Sequence, residues 1–328
     1  MNPTPDTVVI QGAPAHGRYA GRIACIDWAP LQADRGRLWR WLHHKRWHYV
    51  GLGNGQLFIG VAIVDVGWTC TAFAYLFDRR RRSLLADWSQ DGLPRLQAGV
   101  SDEPLAGAHS WFRGPGARLS LVHSAAPDTL ALAVAVRGLH LEAVLDLGSM
   151  APPLLAVGPI EGGLAHATQK TTALPVQGWA EASGERFDLG GAWAAIDASN
   201  GLLARETAWR WASAHAPDIG FNLQQGYFGG QENLLWLDGR PIPLGAASFA
   251  FDAAQPLQPW RVQTDDGLLD LVFTPEGARA QNRDLGIAAS RYVQPIGTFS
   301  GSVRAFPGAM PRLVRDLLGV TEDHASRW

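Results

Sequence analysis

Residues 46–78 read RWHYVGLGNGQLFIGVAIVDVGWTCTAFAYLFD, and this stretch decides the fold class. Aromatic and β-branched residues crowd it, and such residues favour extended strands. Two groups of turn residues, Gly53-Asn54-Gly55 and Val66-Gly67, interrupt it at intervals of one strand length. The pattern therefore predicts a meander of three neighbouring β-strands.

One carboxylate, Asp65, interrupts the apolar part of this stretch. It lies two residues before Gly67, a place where a carboxylate commonly accepts hydrogen bonds from the N–H groups of a turn. The alternative is an acid that faces a pocket. We interpret Asp65 as a turn brace. If the N-terminal part of the chain contacts a ligand, we expect the contact on the first strand of the meander instead. There Lys45, Trp47 and Tyr49 share one face.

The composition excludes several classes of function. The chain has 328 residues with 28 basic and 30 acidic side chains, so its net charge of −2 gives no general attraction to nucleic acid or to an anionic membrane. No apolar run reaches the roughly 20 residues of a membrane helix, and the N-terminal residues do not resemble a secretory signal. We therefore expect no nucleic-acid partner and no transmembrane segment.

Cysteine usage and motifs narrow the choice further. Cys25 and Cys70 lie in different segments without metal-ligand spacing, which predicts neither a disulfide framework nor a zinc site and suits a reducing cytoplasm. The chain carries no nucleophile elbow, phosphate-binding loop or dinucleotide-binding glycine pattern. We expect no cofactor and no metal, and the residues leave the oligomeric state open.

The remainder of the chain also predicts a mostly β protein. The 37 Gly and 21 Pro act as punctuation between short apolar runs. Asp238-Gly239 and Asp266-Gly267 are turn pairs typical of antiparallel hairpins. Short helices are expected only near residues 35–44 and 310–318. Long antiparallel sheets must close or pack face to face, so we expect barrels or strongly curved sheets.

A Pro- and Gly-rich segment, MAPPLLAVGPIEGG at residues 150–163, separates two runs of predicted strands. Such segments commonly lie between domains. The predicted organisation is an N-terminal β domain over residues 1–150 and a C-terminal β domain over residues 151–328.

Several stretches carry a family resemblance. KRWHYVGLGNGQLFIGVAIVDVGW, ARETAWRWA, IGFNL, QENLLWLDG and the closing GVTEDHASRW together resemble the uncharacterised bacterial family called domain of unknown function 2804, over nearly the whole chain. That family is in turn remotely similar to the lipocalin-like proteins that include carotenoid hydratase, the AttH proteins and fungal pericyclase relatives. The resemblance implies two consecutive lipocalin-like β-barrel domains that hold a hydrophobic small molecule, with chemistry in some members.

Two predicted strands of the second half offer a pocket wall. In ETAWRWA, Trp209 and Trp211 share one face, because side chains alternate along a strand. Two indoles side by side suit an isoprenoid or aromatic ligand, although they can equally fill a core. In IGFNLQQG, Asn222 and Gln224 share one face. Their amides can orient a carbonyl or hydroxyl of a ligand, or they can satisfy a loop backbone.

Two polar groups are candidates for acid–base chemistry. Glu232 lies beside Asn233 at the start of the strand that carries Trp236, where desolvation would raise the pKa of its carboxyl group. The alternative is a solvated residue at a strand end. Glu322 and His324 near the C-terminus form a second candidate pair, or else an exposed tail. Glu232 is the predicted proton-transfer group, with Asn222 and Asn233 in support.

Two functions from different classes follow from these residues. The first is binding of a hydrophobic small molecule, such as a lipid or isoprenoid, in a β-barrel cavity. The second is an enzyme that hydrates, cyclises or isomerises such a molecule by carboxylate-assisted proton transfer. Two or more desolvated carboxylates facing one cavity would favour the enzyme, and a cavity without carboxylates would favour the binding protein. Packed barrels without a cavity would favour a protein-interaction domain.

Overall fold

The computed structural model describes residues 1–284, 286 and 288–328. Over this part of the chain there is one α-helix, α1 (Arg37–His43), and all other regular structure is β. The first 18 strands are β1 (Asn2–Pro3), β2 (Val9–Ile10), β3 (Ala13–Pro14), β4 (Gly17–Ala20), β5 (His44–Gly53), β6 (Leu57–Asp65), β7 (Cys70–Asp78), β8 (Ser83–Gly92), β9 (Ala98–Gly99), β10 (His109–Gly114), β11 (Ala117–Ala125), β12 (Asp128–Val136), β13 (Leu139–Asp146), β14 (Leu154–Pro159), β15 (Ala165–Lys170), β16 (Leu174–Ala182), β17 (Glu185–Asp188) and β18 (Trp193–Leu202). The others are β19 (Glu206–Ala216), β20 (Ile219–Gly226), β21 (Leu234–Leu237), β22 (Arg240–Pro243), β23 (Ala247–Ala250), β24 (Trp260–Thr264), β25 (Leu269–Asp284), β26 (Ala289–Val303) and β27 (Arg312–Arg327).

The predicted meander of residues 46–78 is confirmed. Strands β5, β6 and β7 pair antiparallel in succession. Asp65 accepts a hydrogen bond of 2.8 Å from the backbone N–H of Gly67 and pairs with Arg46 at 2.7 Å. The carboxylate therefore braces the turn, as predicted.

The first sheet has 16 strands and forks at β18. One arm runs through β5 to β8, and the other runs through β16 and β13 to β9. Apolar side chains of both arms pack into one core, which includes Ile59, Leu76, Leu119 and Leu141. Strict alternation produces this core, because in β12 the side chains of Leu130, Leu132 and Val134 are buried and those between them are exposed. The sheet thus curls around its own apolar interior.

The second sheet has nine strands, in the order β22-β21-β20-β19-β27-β26-β25-β24-β23. Its core is richer in aromatic rings, and Phe221, Trp260, Phe273 and Phe299 are fully buried there. The fold is mostly β, with two curved and predominantly antiparallel sheets, which confirms the predicted class.

Both predicted hairpins of the second half form. Asp238 and Gly239 have φ values of 51° and 76°, as a type I′ turn between β21 and β22 requires. Between β24 and β25 the loop is longer, and of the predicted pair only Gly267 has a positive φ, 71°. A longer loop needs only one residue in the left-handed backbone conformation, so the second hairpin has a different type of turn from the first.

The helix predicted near residues 35–44 is confirmed as α1, but the helix predicted at 310–318 is wrong. That segment begins β27, in which Arg315 and Asp316 together oppose the single residue Ser300 of β26. The extra residue of this bulge places Val314 and Leu317 on the same buried face although they are three positions apart. A bulged strand therefore reproduced the spacing of a helix.

The boundary between the two large sheets lies between Leu202 and Glu206 in the sequence. Strands β14 to β18 still belong to the first sheet, and the second sheet begins with β19. The predicted domain division at residue 150 concerns units that fold independently, and it stays a prediction. Limited proteolysis followed by stability measurements on the fragments 1–150 and 151–328 would test it.

Candidate functional site

A cavity of about 290 Å³ lies between the two sheets. The cavity is not the interior of a single barrel, because packed side chains fill the interior of each curled sheet. The first sheet contributes residues of β5 to β8, together with Lys170 and Asp197, and the second contributes residues of β19, β20 and β25 to β27. Both halves of the chain are needed to form this cavity.

Aromatic side chains form much of the cavity wall. Trp47 and Tyr49 on β5 face Trp209 and Trp211 on β19 across the space between the sheets. The rings of Tyr49 and Trp211 meet edge to face, with centroids 5.8 Å apart. Alternation along β5 and β19 places the two rings of each strand on one face, as the sequence predicted, and in both strands that face lines the cavity. The wall suits a flat or extended apolar molecule.

A buried cluster of three charged groups, here called the lysine cluster, joins the two sheets at one side of the cavity. The Lys170 ammonium contacts Oδ2 of Asp197 at 2.6 Å and Oε2 of Glu232 at 2.9 Å. Asp197 also accepts hydrogen bonds from Ser199 at 2.8 Å and Thr168 at 3.2 Å. All three charged residues line the cavity.

The two carboxyl groups of the lysine cluster differ in their electrostatics. Burial raises the pKa of Glu232, and the negative charge of Asp197 raises it further, against the opposing effect of Lys170. The ammonium of Lys170 and the hydroxyl of Ser199 outweigh burial at Asp197 and lower its pKa. The Asp197 and Glu232 carboxylates raise the pKa of Lys170 despite burial. Lys170 is therefore cationic, Asp197 is the anion, and Glu232 is the carboxyl group that holds a proton most readily.

A second group of polar residues, here called the Glu322 cluster, lies on the second sheet. Oε1 of Glu322 accepts a hydrogen bond from the indole N–H of Trp209 at 2.8 Å, and Oε2 accepts one from Gln294 at 2.8 Å. Nδ1 of His324 lies 3.3 Å from Oε1 of Glu322, and its Nε2 lies 2.9 Å from the hydroxyl of Ser290. Neutral donors thus occupy both oxygens of this carboxyl group.

Gln224 offers polar atoms to a ligand. Its side chain is 2% exposed and lines the cavity, yet neither its amide nitrogen nor its amide oxygen has a hydrogen-bond partner. A buried unpaired polar group costs about 1–3 kcal/mol. A ligand that brings both an acceptor and a donor to Gln224 would remove this cost.

Three residues predicted for the site do not line this cavity. Asn222 accepts from the indole N–H of Trp211 at 2.8 Å and donates to the backbone oxygen of Glu232 at 2.9 Å, so it supports the wall from behind. Asn233 accepts from the backbone N–H of Gln224 at 2.7 Å, and Trp236 packs in a core and donates to the backbone of Pro152. The other predicted site residues are brought together around the cavity; these are Trp47, Tyr49, Trp209, Trp211, Gln224, Glu232, Glu322 and His324.

Sequence reasoning missed Lys170 and Asp197. One signal was present, because Lys170 and Lys45 are the two lysines among 28 basic residues. Both are buried, at 4% and 1% exposure. A chain that uses arginine at every other basic position marks the two positions where it uses lysine.

Neither a candidate metal-binding cluster nor a membrane-spanning helix occurs in the described ranges 1–284, 286 and 288–328. They contain no group of three or more His, Cys, Asp or Glu side chains arranged to hold a metal ion. They also contain no helix whose length and apolar character would let it span a bilayer. Cys25 and Cys70 are free thiols.

Solved structures share this fold at low identity. CghA with Sch210972 superposes with a TM-score of 0.60 at 11% identity, over 99% of this chain and 97% of that one. Kievitone hydratase from Nectria haematococca gives 0.51 at 10%, over 87% and 88%. An AttH-like protein from Nitrosomonas europaea gives 0.54 at 13%, over 86% and 92%. No curated protein matches the sequence. The family model described as domain of unknown function (DUF2804) matches residues 11–328, and the chain belongs to that family.

Proposed function

We propose that the protein is an enzyme that transfers protons to and from a largely apolar small molecule, in a hydration, cyclisation or isomerisation. The observation that carries this proposal is the convergence of three largely buried carboxyl groups, Asp197, Glu232 and Glu322, on one aromatic cavity. A carrier of an apolar molecule gains nothing from buried carboxylates, whose desolvation costs free energy. General acid–base catalysis does need them.

Glu232 is the proposed proton donor. An acid whose pKa is raised holds its proton more readily than a free carboxyl group and can release it to a substrate carbon or oxygen. Asp197, whose pKa is lowered, is the proposed acceptor of the proton that leaves the substrate or water. Lys170 contacts both groups and so holds them at the cavity surface whichever of them is ionised.

The proposed substrate has an apolar body and at least one oxygen group. The aromatic wall would bind the body, and the unpaired amide of Gln224 would bind a hydroxyl or carbonyl. Two fold neighbours support small-molecule chemistry: one is called a hydratase, and CghA was solved with Sch210972. The free thiols of Cys25 and Cys70 suit the proposed location, a reducing cytoplasm.

The test begins with the small molecule that copurifies with the protein from its native host, identified after extraction by mass spectrometry. Wild type and Glu232→Gln are then compared for turnover of that molecule, since this change removes the titratable proton and keeps the shape. We expect kcat to fall by about 10²–10⁴. Glu142→Gln, on the exposed face of β13, is the matched control and should leave kcat unchanged.

The second candidate function is a carrier for an apolar molecule, and the size and aromatic lining of the cavity favour it. Equal turnover by wild type and Glu232→Gln would remove Glu232 from the mechanism. Tight binding of the extracted molecule without turnover by either protein would establish the carrier in place of the enzyme.

A further inference from the structure

A second, smaller pocket of about 40 Å³ lies against the main cavity. The two spaces share the four residues Tyr49, Lys170, Asp197 and Trp211. We propose that this small pocket is a binding site for water, which exchanges protons with the lysine cluster while the substrate occupies the main cavity. The inference rests on the proposed function, because the water bound in the small pocket would be the reactant of the proposed hydration.

The size of the small pocket fits water and excludes a carbon skeleton. One water molecule needs roughly 10–15 Å³ of such space, so the pocket has room for about three or four. The main cavity is about seven times larger, at about 290 Å³ against about 40 Å³. The two spaces are therefore matched to reactants of different size.

Polar groups line the small pocket on the side away from the main cavity. The hydroxyl of Ser213 lies 2.7 Å from Nε2 of His215, and Nδ1 of the same ring lies 2.9 Å from the hydroxyl of Thr172. Burial lowers the pKa of His215 to about 3, so this ring is neutral at ordinary pH. A bound water needs two to four polar partners, and Ser213, Asn222 and Asp197 all line the pocket.

Two rings separate the spaces. Tyr49 and Trp211 meet edge to face, and the hydrogen bond of 2.8 Å between the Trp211 indole and Asn222 fixes the second ring. A ligand that lies against this wall in the main cavity is kept apart from the small pocket. Lys170 and Asp197 line both spaces, so a water molecule held at Asp197 in the small pocket also borders the main cavity.

A hydration written with these groups balances. The carboxyl proton of Glu232 goes to one carbon of a substrate double bond, while the water oxygen forms a C–O bond to the other carbon. The proton that the water loses goes to the Asp197 carboxylate. The lysine cluster holds the same number of protons before and after the step, and transfer between the two carboxyl groups beside Lys170 restores the starting state. Dehydration is the reverse.

Two matched alanine variants separate the pockets. Ala195 lines the small pocket and not the main cavity, and Ala62 lines the main cavity and not the small pocket. Each is changed to Val, which adds two methyl carbons to the respective space. The probe of the main cavity is 8-anilinonaphthalene-1-sulfonate, and thermal unfolding shows whether each variant folds. Ser213→Ala is the second variant for the small pocket, because it removes a water partner without adding volume.

The first readout is the crystal structure of wild type and variants with the probe bound. We expect an ordered water within about 3.2 Å of Asp197 or Ser213 in wild type, its loss in Ala195→Val and reduced occupancy in Ser213→Ala. Absence of water from the wild-type pocket, or entry of the probe into it, would overturn the inference. This readout needs no turnover, so it stays separate from the fate of the proposed function.

The second readout uses the substrate found for the proposed function. We expect Ala195→Val to lower kcat by about tenfold while probe affinity changes by less than about twofold, since only water loses its place. Ala62→Val should weaken binding of the probe and leave the ordered water in the small pocket. If both variants change kcat and probe affinity alike, the two spaces are one site and the inference is wrong.

Discussion

The lysine cluster and the Glu322 cluster present carboxyl groups to the same cavity, yet they hold them in different ways. Glu232 lies against one cation and a second carboxylate, so its protonation depends on a balance of charges. Glu322 accepts from two neutral N–H groups, those of Trp209 and Gln294. The neighbouring groups therefore determine the role of each carboxyl group: the first arrangement can move a proton, and the second fixes a carboxyl group in place.

The largest effect is expected at Lys170. Lys170→Met removes the cation and leaves the buried groups Asp197 and Glu232 facing each other. Breaking a buried ion pair from one side costs about 3–5 kcal/mol, and we expect the free energy of unfolding at neutral pH to fall by that amount. Urea unfolding measures it. The loss should shrink in acid, because protonation of Asp197 removes the buried charge that Lys170→Met leaves without a partner.

The matched control for Lys170→Met is Arg261→Met, which breaks an ion pair whose side chains are 57% and 47% exposed. It should change the free energy of unfolding by no more than about 1 kcal/mol. A loss at Lys170 as small as the control's would mean that the lysine cluster is not a buried charge network.

The next effect compares the two carboxyl groups directly. Glu232→Gln should lower kcat by at least about a hundredfold and Glu322→Gln by about tenfold, because the first removes a proton donor and the second only a positioned acceptor. Turnover of the copurified molecule under saturating conditions measures both. The reverse order of the two effects would assign proton transfer to the Glu322 cluster.

The pH dependence of stability should carry a signature of His166, which packs behind the lysine cluster. Burial and the charge of Lys170 lower the pKa of His166 to about 3. A histidine with a depressed pKa in the folded state binds its proton more readily when unfolded, so its contribution to stability is full above pH 6.5 and falls toward pH 3. His48 and His215, with pKa values of about 4 and about 3, act in the same direction.

The variant His166→Phe tests this dependence. Each titrating histidine contributes up to about 1.4 kcal/mol per pH unit to the slope of unfolding free energy against pH. Urea unfolding between pH 6 and 4 should show a slope lower by about that amount in His166→Phe than in wild type. Parallel slopes would show that His166 takes up its proton in the folded protein.

The local parts of this architecture were predictable from sequence, and the contacts between sheets were not. The meander and the aromatic face of β19 follow from alternation, which acts between neighbouring residues. The bulge at Asp316 imitated a helix, because one extra residue changes the spacing of buried side chains. Lys170 and Glu232 meet because two sheets pack, and no local spacing encodes that meeting. The neighbouring residues in the sequence identified Glu232 as a candidate, but none of them indicated that Lys170 would contact it.

The smallest effect distinguishes the two tryptophans of the wall. Trp209 donates to the Glu322 carboxyl group and Trp211 donates to the Asn222 amide, each at 2.8 Å. Substitution by Phe keeps an aromatic ring and removes the N–H. A hydrogen bond to a carboxylate contributes about 1.5–3 kcal/mol and one between neutral groups about 0.5–1.5 kcal/mol, so Trp209→Phe should destabilise the fold by about 1 kcal/mol more than Trp211→Phe.

Thermal and urea unfolding of the two Phe variants measure this difference, and binding of 8-anilinonaphthalene-1-sulfonate serves as the control because each variant keeps an apolar ring in the wall. Probe affinity should stay within about threefold of wild type in both. Equal losses of stability would mean that Gln294 and His324 hold Glu322 in place without the Trp209 indole. The contrast between the two clusters would then rest on the charges around Glu232, and the wall would be a packing surface that both clusters share.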